Sequence, residues 1–277
     1  MTGAESVVGL QMSDEGAAFN DYHGSALRFD EVRNGLVLGL IERAAREKRS
    51  DVSCWTLGRP GACAIKTGNR SIVLGALDEG ECRSLAEATA HLRYPGVVGL
   101  DMTASWFSDR ARELGLRFAE PVPQQLWSLG EPPRYPGTPG FARPVTSDDA
   151  ALAVEWLTAF QREAVPRDPL PERTDFERMA GDGKLLFWID GGRPVSIAGI
   201  TRRLNRSATI APVYTPPELR CRGYAGSVTA ATVERIHAEG RRIACLYTDL
   251  RNPASNRCYA KVGFRPVCGA LHFYRDL

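Results

Sequence analysis

Arg220-Cys221-Arg222-Gly223-Tyr224-Ala225 is the stretch of this sequence whose residue types and spacing suit the holding of an anion. A strand-like run, Ser207 to Tyr214, comes before it, and Pro216-Pro217-Glu218 breaks that strand. Beyond Gly223, Val228, Ala231, Val233, Ile236 and Ala238 recur at helical spacing up to Gly240, which predicts a helix and its stop. Two arginines and a glycine therefore sit directly before a helix N-terminus, where unpaired backbone N–H groups and the positive dipole end favour a phosphate. Gly223 has no side chain to obstruct close approach, and Ala225 is nearly as small. A side chain at Gly223 is expected to cost anion binding without costing the fold. Cys221 has no histidine nearby in sequence to serve as its base, so it reads as a loop residue and not as a nucleophile.

A second group follows in order. Ile243 to Thr248 reads as a strand, Asn252-Pro253-Ala254-Ser255-Asn256 opens a short helix, and Tyr259 precedes Gly263-Phe264. The Arg-x-x-Gly-x-Ala spacing followed by this block resembles the GNAT N-acetyltransferase superfamily, specifically over about 60 residues. The resemblance implies transfer of an acetyl group from acetyl-coenzyme A to an amine. It places the pyrophosphate on Arg220, Cys221, Arg222, Gly223, Tyr224, Ala225, Gly226 and Ser227, and the pantetheine arm along Val213, Tyr214 and Thr215. Asn252, Ser255 and Asn256 would line the cofactor, and Tyr259 would be the catalytic acid. No metal is implied.

Two proton transfers then need owners. A thiolate leaving group of pKa about 8.5 is well matched to an ordinary tyrosine of about 10. A lysine-like amine is neutral only about one time in 2,500 at pH 7, roughly 4.6 kcal/mol of barrier without a base. Many members of the resembled family place a glutamate on the strand before the loop. Here Ser207-Ala208-Thr209-Ile210-Ala211-Pro212-Val213-Tyr214 has no carboxylate. A water relay, Asp249 or Glu155 stand as substitutes.

Composition narrows the alternatives. Hydrophobic residues at 43% and charged ones at 25% are those of a soluble globular protein. Residues 1–140 carry fifteen basic and eighteen acidic side chains, and the remainder twenty against fifteen, so the basic half is the one with the anion loop. Seven cysteines, an odd count without a Cys-x-x-Cys pair, read as reduced thiols in a cytoplasm. No leader pattern and no long apolar run point to a membrane. Arg202, Arg203, Arg241 and Arg242 lack interleaved aromatics, against nucleic acid as a partner. P-loop, zincin and serine-hydrolase motifs are missing.

The elements that must position these residues fall into two sets. In the first, Phe29 to Lys48 reads as a helix, Val52–Leu57, Ala62–Lys66 and Ser71–Ala76 as hairpin strands, and Glu79 to Arg93 as a helix. Val97–Leu100 follows as a strand, Thr103–Leu114 as a helix, and Leu116–Glu120 and Gln125–Leu129 as strands. Gly130 to Gly140 holds four prolines and three glycines and reads as a linker. In the second set, Phe141–Val145 is a strand, Ser147 opens a helix, and Thr174-Asp175-Phe176-Glu177 forms a capping box for another. Leu185–Asp190 and Val195–Arg202 then make a hairpin. The order of elements repeats, so an α/β (α+β) fold of two tandem GNAT-like domains is expected, each a mixed, mostly antiparallel sheet flanked by helices.

The expected bounds are 1–130 for a degenerate domain without a cofactor loop, 131–140 for the linker, and 141–277 for the catalytic domain. In the first copy the strand-to-helix junction is Leu77-Asp78-Glu79-Gly80-Glu81, whose carboxylates repel a pyrophosphate. One coenzyme A per chain is expected, and a 141–277 fragment is expected to keep the affinity if it folds. The function expected is an N-acyltransferase acting on a small-molecule or peptide amine. A non-catalytic coenzyme A-binding regulatory module is the alternative, and an aminoacyl-tRNA-dependent transferase is weaker because it needs no pyrophosphate loop.

Overall fold

The computed structural model describes residues 7–11, 16–47, 50–170, 177, 179 and 183–276. The capping box expected at 174–177 lies outside the described residues. The chain forms two compact units, Met1–Leu126 with Val267–Leu277, and Trp127–Pro266. These bounds differ from the linker-based ones at both ends, because Trp127–Leu129 join the second unit and Val267–Leu277 join the first.

Unit 1 contains β1 (Val7–Gln11), α1 (Gly16–Phe29), α2 (Gly35–Glu47), β2 (Val52–Leu57), β3 (Cys63–Thr67) and β4 (Ile72–Leu74). α3 (Glu79–Thr89), β5 (Gly96–Leu100), α4 (Asp101–Glu113) and most of β6 (Val122–Leu129) follow. β1 to β4 pair antiparallel in sequence, and β4 pairs parallel with β5 through Ile72↔Val97 and Val73↔Val98. β5 is then bordered by the C-terminal strand β12 (Arg265–Tyr274), antiparallel from Ala270↔Leu100 to Tyr274↔Gly96. Phe273 of β12 packs into the unit 1 core with Leu57, Ile72, Leu85, Val97 and Phe107. The expected strand Leu116–Glu120 is only an isolated bridge, Phe118↔Arg275. Where one helix was expected over Phe29–Lys48, α1 and α2 flank a turn at residues 30–34.

Unit 2 repeats the pattern with β7 (Phe141–Pro144), α5 (Ala150–Ala164), β8 (Leu185–Asp190), β9 (Arg193–Arg203), β10 (Ser207–Tyr214), α6 (Tyr224–Ala238), β11 (Ile243–Asp249) and α7 (Pro253–Val262). β7, β8, β9 and β10 are antiparallel, and β10–β11 is parallel. Trp127–Leu129, the end of β6, belongs to this unit, and Trp127 Nε1 donates to Thr248 Oγ1 of β11 at 2.9 Å. Alternation sorts the strand residues into two cores. Ile200, Ala208, Ile210, Ala244 and Leu246 pack under Val228, Val233 and Ile236 of α6. Leu185, Phe187, Ile197 and Tyr214 pack under Trp156 and Leu157 of α5. Such two-sided burial fixes register, since a one-residue slip would send each apolar set to the opposite face, into the core packed for the other. Each unit is a mixed, mostly antiparallel sheet flanked by helices, as the sequence led one to expect.

Candidate functional site

β10 and β11 begin as partners and then part. Their parallel ladder runs Ser207↔Ile243, Ala208↔Ala244, Thr209↔Cys245 and goes no further. On its other edge β10 stays on β9 through Val213↔Ala198 and Tyr214↔Ile197, with register shifts on either side of Ile210. The β11-facing edge of β10 is thus free of ladder bonds over its second half, where the chain runs toward the loop. Two carbonyls at the end of the strand are already engaged. Ser196 Oγ donates to the Tyr214 carbonyl at 3.0 Å, and Arg220 Nε donates to the Thr215 carbonyl at 2.9 Å. The Thr215 hydroxyl shares a hydrogen bond with Ser196 Oγ at 2.9 Å. Of the three residues expected along a pantetheine arm, only Val213 keeps a carbonyl without such a donor.

The loop is the clearest donor array. After Pro217–Leu219, Leu219 and Arg220 N–H close a turn on Pro216 and Pro217 carbonyls, and the next backbone bond is Ser227 N–H to Gly223 O at 3.1 Å. Among the described residues, no backbone acceptor meets the N–H groups of Cys221 through Gly226. Cys221 (φ 62°) and Gly223 (φ 89°) are left-handed, and Arg222 lies between them. Alternation of this kind turns successive N–H groups inward as an anion-binding concavity, here joined to a helix N-terminus without a side-chain cap. The φ at Gly223 corrects one expectation: any side chain there strains the backbone as well as the anion site.

The two arginines divide. Arg222 is exposed, with Nη2 donating to the Glu218 carbonyl at 3.3 Å. It borders a cavity of about 300 Å³ that Arg193, Asp190 and Tyr224 also line. Arg220 is instead tied down. Its Nη2 meets Glu163 Oε2 at 2.7 Å, and its guanidinium stacks 5.6 Å from the Tyr214 ring centroid. It clamps the end of α5 to the loop. Tyr224 turns its hydroxyl away to Asp190 Oδ2, and Ser227 is buried with its hydroxyl 2.9 Å from Thr138 Oγ1. Ala225 and Gly226 contribute backbone only, and Cys221 is exposed.

The Asn-rich turn serves the fold. Asn252 Oδ1 accepts from Ser255 N–H at 3.1 Å and caps α7. Thr248 Oγ1 donates to Asn256 Oδ1 at 2.6 Å, and Asn256 Nδ2 reaches the carbonyls of Asp249 and Leu250 at 3.3 Å. Tyr259 on α7 packs at the edge of the α6 core, edge-on to Phe264 with ring centroids 6.1 Å apart. Its hydroxyl has no hydrogen-bond partner among the described residues, and burial pushes its pKa well above the usual tyrosine range. It stays protonated at neutral pH, yet is a weaker acid than the ordinary tyrosine the sequence reading assumed.

The substitutes for a base are poorly placed. Burial raises the Asp249 carboxyl, but hydrogen bonds from the side chain and backbone of Arg251 outweigh this and hold it below its ordinary value. Glu155 is exposed on α5. Sequence reasoning missed Arg202, which faces Thr209 across β9–β10, on the side of the sheet away from α6 and beside the last β10–β11 rung. Its Nε is shielded from solvent without a partner, and burial lowers its pKa, with Tyr247 and Cys245 opposing. A bulged register hides such a residue from alternation counting.

The parted parallel strands, the uncapped loop and the helix behind it define an acetyltransferase-type fold. Residues 151–264 match the model of the acetyltransferase (GNAT) family. The C-terminal half of this chain belongs to the GNAT superfamily. No curated protein matches the sequence. Among solved structures, a Drosophila protein is similar at 12% identity and TM-score 0.68, covering 98% of each chain. A GCN5-related N-acetyltransferase from Sphaerobacter thermophilus matches at 16% identity and TM-score 0.60, covering 97% of this chain and 95% of that one. A tandem GNAT protein from the clavulanic acid biosynthesis pathway matches at 11% and 0.55, covering 98% of each. At these identities the likeness is one of fold, and it extends over both units.

Proposed function

We propose that unit 2 binds acyl-coenzyme A, acetyl-coenzyme A first among them, and transfers the acyl group to an amine. The observation that carries this reading is the run of backbone N–H groups from Cys221 to Gly226 without acceptors, at an uncapped helix N-terminus beside the exposed Arg222. A pyrophosphate is the ligand whose charge and multiple oxygens suit such donors. In the reaction the amine nitrogen bonds to the thioester carbonyl carbon, the carbon–sulfur bond breaks, the sulfur takes up one proton and the nitrogen gives one up. Tyr259 is the donor we assign to the sulfur. With its pKa raised above 10, that transfer runs uphill by at least about 2 kcal/mol against a thiol of about 8.5. The nitrogen's proton goes to water, since no carboxylate lies on β10 and Asp249 is engaged by Arg251. Arg202, whose Nε has no hydrogen-bond partner beside the point where the strands part, favours an acceptor that carries a negative group.

Titration calorimetry with coenzyme A tests the reading. One site per chain is expected, and the absence of binding would sink it. Tyr259→Phe is expected to lower turnover about 10²–10³-fold with little change in cofactor affinity. The missing strand carboxylate favours a second reading, a coenzyme A-binding regulatory module. Binding without acetyl transfer to any of a broad panel of amines would support that one.

A further inference from the structure

The linker is not a free spacer. Arg134 N–H donates to the Val262 carbonyl at the end of α7 at 2.9 Å. Tyr135 Oη donates to the Gly223 carbonyl at 3.1 Å, and the Thr138 and Ser227 hydroxyls share a hydrogen bond of 2.9 Å. Trp188 Nε1 on β8 then donates to the Pro139 carbonyl at 3.1 Å. The segment is stitched from α7, across the N-terminus of α6, to β8. The Tyr135 ring lies so close to Gly226 that a methyl group there would overlap it, with the hydroxyl oxygen 2.6 Å from the added carbon. At Gly223 an added carbon would stand 2.8 Å from Thr138 Cγ2 and 3.0 Å from Tyr135 Oη. The bare flanks of both glycines are therefore covered by the protein's own linker.

We propose that residues 134–139 are an autoinhibitory strap, closed in this structure on the loop from Cys221 to Ser227, which must lift for coenzyme A to bind. The proposal rests on the cofactor reading above. An anion approaching Gly223 from the flank a side chain would occupy meets Thr138 and Tyr135 before it meets backbone. The latch is modest: neutral hydrogen bonds and one half-buried ring, with prolines at 133, 136 and 139 stiffening the segment so that it moves as a piece. A closed state favoured about tenfold over the open one weakens apparent affinity by the same factor. Anything that captures the lifted linker would then switch the site on.

The test is titration of the full chain with coenzyme A in the parent, in Tyr135→Phe and in Tyr135→Ala/Thr138→Ala. The double variant is expected to bind about tenfold more tightly, with Tyr135→Phe between it and the parent. Hydrogen exchange at the Arg134 amide, read in the unmodified protein, is expected to quicken when coenzyme A is added. Equal or weaker binding by a double variant whose melting matches the parent overturns the strap and makes the linker a fixed wall of the site. An Arg134 amide that slows with coenzyme A overturns it too, and decides the matter if the variants do not fold. Failure of parent and variants alike to bind overturns the cofactor reading itself, and the strap with it.

Discussion

The two units place the same junction, a strand running into a helix beside a parallel partner, under opposite control. At the start of α3, Asp78 accepts from Glu81 N–H at 2.9 Å and Glu81 accepts from Asp78 N–H at 2.8 Å. Glu81, its side chain 1% exposed, also takes Arg59 Nη2 at 2.7 Å, although burial still pushes its carboxyl above the ordinary value. The helix end supplies its own anion. At the start of α6 no side chain caps, the backbone turns left-handed twice, and the donors stay unspent. What covers that end is a neutral phenol and a threonine from the linker. One junction is closed by covalently local charge, the other by a removable neutral contact, and only the second leaves work for a ligand.

The comparison breaks most visibly if the units are separable. Ending the chain after Pro266 removes the strand that pairs with Gly96–Leu100, together with Phe273 from the unit 1 core. Loss of soluble, cooperatively melting unit 1 is expected, and a truncated chain with two intact transitions would refute the strand exchange. The 141–277 fragment, expected to keep the affinity if it folds, lacks Trp127–Leu129 and the contacts made by residues 134–139, and it is not expected to fold.

Giving α6 the closure of α3 comes next. Gly223→Asp and Gly223→Asn both face the same left-handed φ, which these residues tolerate best among those with side chains. Gly223→Asp is expected to weaken coenzyme A binding at least about a hundredfold and Gly223→Asn about tenfold, the difference being charge repulsion. Equal losses by calorimetry would mean that no phosphate meets these donors.

The converse change should be smaller. Asp78→Ala is expected to destabilise unit 1 by about 1–2 kcal/mol, as cap removal does, without creating a second cofactor site. Denaturant unfolding and binding stoichiometry read the two halves of that statement.

The last effect is a pH dependence confined to unit 1. His23 is fully buried, its Nδ1 accepts from Gly61 N–H at 3.1 Å, and Nε2 lies 2.9 Å from Thr56 Oγ1. Burial lowers its pKa to about 4 from an unfolded value of 6.5. The stability from neutral His23 is complete above pH 6.5 and is lost as pH falls toward 4, by up to about 3 kcal/mol. His23→Gln, which keeps a donor and an acceptor, should flatten melting temperature across that window. An unchanged slope would assign the effect elsewhere.

What was legible in the sequence was local. β10, the loop, α6 and the cap at Asn252 follow from spacing, turn residues and an N-cap, all within a few positions of one another. α1 was not legible because its buried positions include Gly16, His23 and Gly24, which leave no apolar stripe to count. Arg220 was read as a phosphate ligand because its partner, Glu163, is 57 residues away. Proline content showed that 130–140 is neither helix nor central strand, but composition carries nothing about where such a segment sits. Likewise, nothing in the residues of β12 names the strand they pair with, which lies about 170 residues earlier.

The exchanged strand also sets an order in time. Unit 2 draws on one contiguous stretch, Trp127–Pro266, and can close as soon as that stretch has left the ribosome. Unit 1 has nearly all its residues earlier, yet β5 waits for a partner made about 170 residues later, roughly 10–30 s at ordinary rates of synthesis. Through that interval the edge of β5 offers unpaired N–H and C=O groups to any passing strand. The half of the protein that is made first is thus the half that finishes last.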